Sequence, residues 1–271
     1  MRETERHRLI ARLVQTRSVV SIPDLVETLD ASAATVRRDI NAMADRGEIR
    51  RIRGGAEALL PRHQAHLVGM PFTLSQGVQA AQKRAIARAT AAMLTPGDSI
   101  VINGGTTTFA LVEFLTNLDL DILTNSVPIV SRLLATSNNR VQLPGGSVYR
   151  EQDIVLSPHD SDHIQHFWGS KLLTGCYGLN HFGLMESDPL LVQAEARLLN
   201  RAEQVIVMAD SRKFSQRSSM IVAPLGRISV LVTDDSATEV DLRPFRDAGI
   251  QVIVAEVLAE DREVAGAAPA S

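Results

Sequence analysis

The chain has 271 residues, 45% of them hydrophobic and 22% charged, with a formal net charge of −3. That composition supplies a full apolar core and excludes a mainly disordered chain, and no apolar run approaches the roughly 18 residues of a membrane helix. One cysteine, Cys176, excludes an internal disulfide and a cysteine-cluster metal site, and the mixed-charge start MRETERHRLIARLV lacks a signal-peptide core, so a cytoplasmic location is expected.

The charge is unevenly divided. Residues 1–62 hold 12 Arg, no Lys and 9 Asp+Glu, whereas the remainder holds 16 Lys+Arg against 22 Asp+Glu. Six of those arginines, Arg37, Arg38, Arg46, Arg50, Arg51 and Arg53, fall between Ala33 and Arg53. A basic head on an acidic body suggests a polyanion-binding module joined to something else. The plainer alternative is a solvated surface with a local excess of arginine.

In chain order, Leu9, Ile10, Leu13 and Val14 repeat with helical spacing in a first helix. Ser21 is placed to cap a second helix, with Pro23 near its start and Leu25, Val26 and Leu29 on its apolar face. Ser32 is placed to cap a third, AATVRRDINAMADRG, which stops at Gly47. Val36, Ile40 and Met43 face inward there, leaving Thr35, Arg37, Arg38 and Asn41 on other faces. EIRRIRGGAEAL then reads as two short strands turning at Gly54-Gly55. Two helices with a tight turn, arginine on the second and a basic hairpin after it form the layout of a winged helix-turn-helix. Such a helix fits the major groove, where its arginines reach phosphates or guanine edges, and Arg50, Arg51 and Arg53 on the wing would neutralise phosphates. A three-helix protein-interaction module is the alternative reading.

Residues 59–82 show no sustained period and are interrupted by two prolines and two glycines, so they are expected to be a linker. From Lys83 an Ala-rich amphipathic helix begins, stopped by Pro96-Gly97. DSIVIN, DILTN, RVQLP, EQVIVMA, ISVLVTD and IQVIVAEV follow as apolar strands, with helices such as FALVEFLTNL and PIVSRLLATS between them. That alternation predicts a largely parallel sheet covered on both faces. The expected divisions are 1–58 for DNA binding, 59–82 for the linker, 83–257 for an α/β domain, and a disordered tail over 258–271.

Ligands of open α/β sheets bind beyond the carboxyl ends of the strands. That rule selects Asn103-Gly104-Gly105-Thr106-Thr107, Asn125 with its neighbours, Gly145-Gly146, and Asp210 to Lys213. Glycines let the backbone approach an anion, and threonines add hydroxyl donors, so Gly104 to Thr107 read as a phosphate site. The loop is neither a Walker A loop nor GxGxxG. Lys213 could bind the same anion, with Asp210 and Asn103 on sugar hydroxyls; an ordinary turn and a loop ion pair are the alternatives. Lys171 reads as structural and Cys176 as a buried small hydrophobe. His159 and His163 could reach one zinc ion from one helix face, but no Glu/Cys cluster supports them. No cofactor is implied.

In these residues the chain resembles the DeoR family of bacterial transcriptional regulators. The head match runs through Asp24-Leu25, Ser32, Thr35 to Ile40, Gly47-Glu48-Ile49 and Arg51 to Ala56. The body match runs through Gly105-Thr106-Thr107, Thr124-Asn125-Ser126, Gly145-Gly146 and Asp210 to Phe214. The resemblance covers about residues 5–255 and implies an α/β sensor domain of the ribose-5-phosphate isomerase and CoA-transferase type. It implies a repressor of a sugar-utilisation operon, released from DNA by a phosphorylated sugar and acting as an oligomer. Carried over, Ser32, Thr35, Arg37, Arg38, Arg51 and Arg53 are expected at DNA. Asn103, Gly104, Gly105, Thr106, Thr107, Asn125, Asp210 and Lys213 are expected at the effector. The family often has Asp where this chain has Asn103. The competing expectation is a sugar-phosphate isomerase using Glu195 or Asp210 as general base; no Glu in a Gly-rich loop supports it, so the chain is expected not to be an enzyme.

Overall fold

The computed structural model describes residues 3–17, 19–29, 31–52, 54–57, 72–157 and 163–267. Arg53, the linker residues 59–71 and His159 therefore lie outside the described residues. The chain divides into two compact units, Met1–Leu67 and Val68–Ser271.

The first unit contains α1 (Glu3–Arg17), β1 (Val19–Ser21), α2 (Ile22–Leu29), α3 (Ala33–Asp45), β2 (Arg50–Ile52) and β3 (Gly55–Glu57). The apolar positions of the three helices converge: Ile10, Val14, Leu25, Leu29, Val36, Ile40 and Met43 are all buried in one cluster with Val20 and Ala56. Both expected caps form, with Asp24 N donating to Ser21 Oγ at 3.3 Å and Thr35 N to Ser32 Oγ at 3.2 Å. The wing holds more than a hairpin, because β1 adds a third strand in the order β1-β3-β2. Gly55 permits that pairing, since a Cβ there would sit 2.2 Å from the carbonyl oxygen of Val20.

The second unit begins earlier than expected. Phe72–Gln76 forms α4 and Ala80–Ala91 forms α5, so the expected linker, over its described part, is two helical segments joined by a turn at 77–79. The reason is tertiary: the Phe72 ring packs edge-on against Phe109, 5.6 Å between centroids, and Lys83 reaches back to the Ser75 carbonyl. There follow β4 (Ser99–Ile102), α6 (Thr106–Ala110), β5 (Asp121–Thr124), α7 (Val127–Thr136), β6 (Arg140–Gln142), β7 (Ser147–Tyr149), β8 (Ile154–Leu156) and β9 (Gly169–Thr174). The remainder is β10 (Gly178–Asn180), β11 (Gly183–Glu186), α8 (Pro189–Leu199), β12 (Ala202–Met208), β13 (Met220–Pro224), β14 (Val230–Asp234), α9 (Glu239–Asp247), β15 (Gln251–Ala255) and α10 (Ala259–Ala267).

Seven strands form a parallel sheet in the order β15-β14-β12-β9-β4-β5-β6. Strand alternation feeds both faces: Ile100 and Ile102 enter one apolar cluster with Ile86 and Leu133, while Val101 enters the other with Leu172 and Phe245. The chain runs outward from β4 to β6, then returns to build from β9 to β15 on the other side of β4. That reversal opens a crevice beyond the carboxyl ends of β4 and β9. Two smaller antiparallel sheets, β10-β11-β13 and β7-β8, accompany it.

The tail also departs from expectation over its described part. Residues 259–267 form α10 because Asp261, fully buried, accepts hydrogen bonds from Arg84 and Arg88 of α5, at 2.5 and 3.0 Å, and from Leu258 N at 3.0 Å. No composition rule anticipates a partner 170 or more positions away. Among the described residues no helix is long and apolar enough to cross a membrane.

Candidate DNA interface and effector crevice

The head orients α3 through its inner side. Asp39, on the buried face of that helix, accepts Arg6 Nε at 2.8 Å and Arg6 Nη2 at 3.1 Å, and His7 Nε2 lies 3.1 Å from it. Burial works to raise the Asp39 carboxyl, but these partners outweigh it and hold the group below the usual carboxylate range. Glu3, His7 and Asp39 bring ligand-type atoms within 4.8 Å of one another, but Arg6 already occupies the Asp39 carboxylate. Sequence pattern alone did not mark Asp39 and Arg6; a charged residue at an inward helical position was the signal available.

The outer side of α3 is different. Arg46 pairs with Glu48, Arg50 pairs with Glu57, and Arg51 Nη1 donates to Asn41 Oδ1 at 3.0 Å, tying wing to helix. Arg37 and Arg38 are exposed and, among the described residues, make no hydrogen bond or ion pair. Ser32 and Thr35 sit at the start of the same helix, their hydroxyls 2.9 Å apart. Thus the residues expected at DNA, Arg53 aside, share one helix and its wing, and the two with uncommitted guanidiniums lie on α3.

In the second unit, the strand ends gather the expected polar residues around the β4–β9 crevice. Asn103 Nδ2 donates to Thr174 Oγ1 at 3.1 Å and to Glu195 Oε1 at 2.8 Å, joining β4, β9 and α8. Gly104 N donates to Asn125 Oδ1 at 2.7 Å, so that amide is already engaged. A Cβ on Gly104 would lie 2.4 Å from Ile154 Cγ2, so packing demands this glycine independently of any ligand. Thr106 is half-buried and Thr107 buried, both in α6 behind Gly105. Asn125 Nδ2 is buried and, among the described residues, has no partner.

Asp210 is fully buried, and Arg212 takes its carboxylate through the backbone N at 3.3 Å and Nε at 3.0 Å. It therefore caps the turn 211–214 and holds the loop that carries Lys213. Lys213 Nζ donates to Gln216 Oε1 at 3.3 Å. Lys171 lies at the opposite end of the sheet, paired with Asp98 at 2.7 Å, as its structural reading required. Burial pushes the Cys176 thiol up, which makes it a poor nucleophile. The side chains of His159 and His163 lie outside the described residues.

Three groups enter the crevice that the sequence did not assign to an effector. Lys83 of α5 is buried and donates to Ser75 O and Thr106 Oγ1, both at 2.7 Å; burial lowers its ammonium to about 8. Its spacing from Ile86, Ala87 and Thr90 put it on the buried helix face, which was the legible signal. Glu186 accepts Tyr177 N at 2.9 Å and Ser187 N at 3.1 Å, and burial raises it to about 7. Glu195 lies well above the usual range through burial and the neighbouring Glu186 charge. Among the described residues its second oxygen has no partner, and Glu195 lines a tight crevice with Leu172, Leu184, Leu198 and Val222. That surrounding suits a held proton rather than a base open to substrate.

Comparison with known proteins gives a consistent family. A model described as the DeoR-like helix-turn-helix domain matches residues 6–61, and one described as the DeoR C-terminal sensor domain matches residues 78–235. The HTH-type transcriptional regulator UlaR of Shigella dysenteriae is 30% identical over 253 residues, 93% of this chain and 99% of that protein. The regulator of the same name from Escherichia coli aligns with the same identity and coverage, 30% over 253 residues. Among solved structures, the full-length sorbitol operon regulator SorC of Klebsiella pneumoniae superposes with a TM-score of 0.38 at 12% identity, covering 96% of this chain and 98% of that one. Ribose 5-phosphate isomerase A of Methanocaldococcus jannaschii gives 0.37 at 12% identity, covering 48% and 52%.

Proposed function

The chain belongs to the DeoR family of DNA-binding transcriptional regulators, and from that premise we propose that it represses an operon for catabolism of a sugar or sugar derivative. A phosphorylated sugar-type effector, bound at the carboxyl ends of the sheet strands, releases it from the operator. The observation that carries this reading is the pair of guanidiniums, Arg37 and Arg38, that are uncommitted among the described residues, whereas Arg46, Arg50 and Arg51 are engaged. Charge left unpaired on one face is what a polyanion neutralises.

The sensor half is supported by the crevice chemistry. Lys83, Thr106 and Lys213 supply cations and a hydroxyl at one end of the sheet, while Asn103 and Asn125 offer amide groups beside them. The chain acts in the cytoplasm as a homo-oligomer, since one head reads too few base pairs and paired half-sites supply the rest. It senses its ligand and does not convert it.

Fluorescence anisotropy on the DNA upstream of its own gene and its neighbours tests the proposal, with and without a panel of sugar phosphates. The expected result is specific binding that weakens steeply with salt and is released by one compound. Specific binding untouched by the whole panel would remove the effector reading, and no specific binding under any condition would remove the DNA reading.

A further inference from the structure

The seven-stranded sheet ends in β6 on one side and β15 on the other, and the two edges are built differently. β6 is three residues long, starts at Arg140 and is followed by Pro144, so it is short and guarded by charge and proline. β15, Gln251-Val252-Ile253-Val254-Ala255, has five residues and none of those guards. Gln251 N donates to Ser229 O at 3.2 Å, and a parallel ladder bonds alternate residues. Gln251, Ile253 and Ala255 therefore bond to β14, and the N–H and C=O groups of Val252 and Val254 face the open edge. That free row is bounded at both ends. Ile250 N donates to Phe245 O at 3.0 Å, and Glu256 O accepts Arg88 Nη2 at 2.9 Å. Among the described residues nothing takes the backbone groups of Val252 and Val254, and the Val254 side chain is 44% exposed.

We propose that β15 is where two copies of this chain join, edge to edge, so that their parallel sheets become one continuous sheet. This rests on the homo-oligomer reading above. An unpaired, uncharged edge is a template for another strand, and the symmetry of this one selects a second copy of itself. Under a twofold axis through Ile253, perpendicular to the sheet, Val252 of one copy faces Val254 of the other. Each such pair exchanges both of its N–H···O bonds, which satisfies every free group of the two rows. Charge permits the same register. Glu256 is the one charged residue in 250–256 and falls opposite Ile250, so no like charges meet. α9 leads into β15 and shares its apolar cluster through Phe245 and Val252. The charges of that helix are closed within it, Arg243 on Asp247 at 3.6 Å and Arg246 on Glu239. The contact also limits itself. Pairing consumes the unguarded edge of each copy and leaves guarded β6 at both ends, so growth through the sheet stops at two. The assembly then carries a head for each half-site.

The edge position of Val254 allows a selective test on the full-length chain. Its N–H is not used by the ladder to β14, so Val254→Pro removes a donor that only the second copy takes. An edge strand tolerates proline at such a position. Val254→Pro is expected to keep the circular dichroism of the parent and to show half its mass in sedimentation equilibrium. A second readout leaves the edge intact. Residues directly opposed without exchanging hydrogen bonds have Cα atoms about 4.5 Å apart, within disulfide range. Cys176 is the chain's own cysteine, so Ile253→Cys is made together with Cys176→Ala. Mild oxidation should link that chain in pairs, whereas Val141→Cys on β6 in the same background should stay unlinked. A parent oligomer whose mass survives Val254→Pro, with no link through Ile253→Cys, would overturn the β15 contact and leave the homo-oligomer standing. If Val254→Pro does not fold, the Ile253→Cys link alone decides. A parent that stays monomeric at every concentration, with and without operator DNA, removes the homo-oligomer reading and this inference with it.

Discussion

Among the described residues Arg37 and Arg38 have no partner, whereas Arg46, Arg50 and Arg51 each have one. Replacing Arg37 or Arg38 by Ala should therefore leave the unfolding midpoint unchanged and weaken operator binding by about 1–3 kcal/mol where the arginine reads a base. Where it meets a phosphate, the loss should be uniform across sequences and the salt slope should fall by about one. Anisotropy on matched and mutated operators at several salt concentrations separates the two cases. The buried carboxylates make a second residue-scale prediction. Glu186 titrates near 7 in the folded chain against 4.5 when free, so the folded state holds its proton more tightly. Its stability contribution is complete below about 4.5 and is lost as pH rises through about 7, on the order of 3 kcal/mol. Urea midpoints should fall between pH 5 and 8, and Glu186→Gln should flatten that fall. At Glu195, Gln keeps the oxygen that accepts from Asn103 and carries no charge, so Glu195→Gln should be neutral or stabilising at pH 7. Glu195→Ala should cost about 2–3 kcal/mol by leaving one Asn103 N–H without its acceptor and opening a void.

At the scale of elements, two helices are held by single carboxylates. Asp39 fixes α3 to α1 through Arg6, so Asp39→Ala should destabilise the head by about 2–3 kcal/mol. Its pKa is held low, so the contribution is present above the usual carboxylate range and disappears as pH falls through the depressed folded value. Helical circular dichroism of the parent and the variant in urea, with operator affinity in parallel, tests both statements: a loosened α3 must lose DNA binding as well as stability. Asp261 plays the equivalent part for α10, accepting from two arginines of α5. Asp261→Ala should detach α10, lower the melting temperature of the sensor unit by several degrees and speed exchange over residues 259–267. An unchanged melting temperature would show that α10 adds nothing to the fold. Neither helix end was equally legible in the sequence. The head helices carried caps and an apolar period, whereas α10 has little of either and exists because of α5.

For the whole molecule, an effector can move the chain off DNA only by binding one arrangement better than the other. The coupling is reciprocal: whatever factor the effector takes from operator affinity, saturating operator must take from effector affinity. Calorimetry of the releasing sugar phosphate, with the chain free and operator-bound, checks the equality. Unequal factors would mean that release runs through a third species such as a change in oligomer size. The helices of the head, the parallel strands other than the central β9 and the polar strand ends were readable from the residues alone, because caps, period and turn chemistry act over a few positions. The family followed from the same short-range pattern, since Thr35 to Ile40 and Arg51 to Ala56 sit at fixed local spacing. The third wing strand, α4, α10, the Asp39–Arg6 pair and the company of Lys83, Glu186 and Glu195 were not readable. Each depends on groups brought together from distant positions, and burial sets their charge. A sequence shows that a lysine lies on an inward helix face; only the folded sheet decides that it meets Thr106 and Ser75 and no carboxylate.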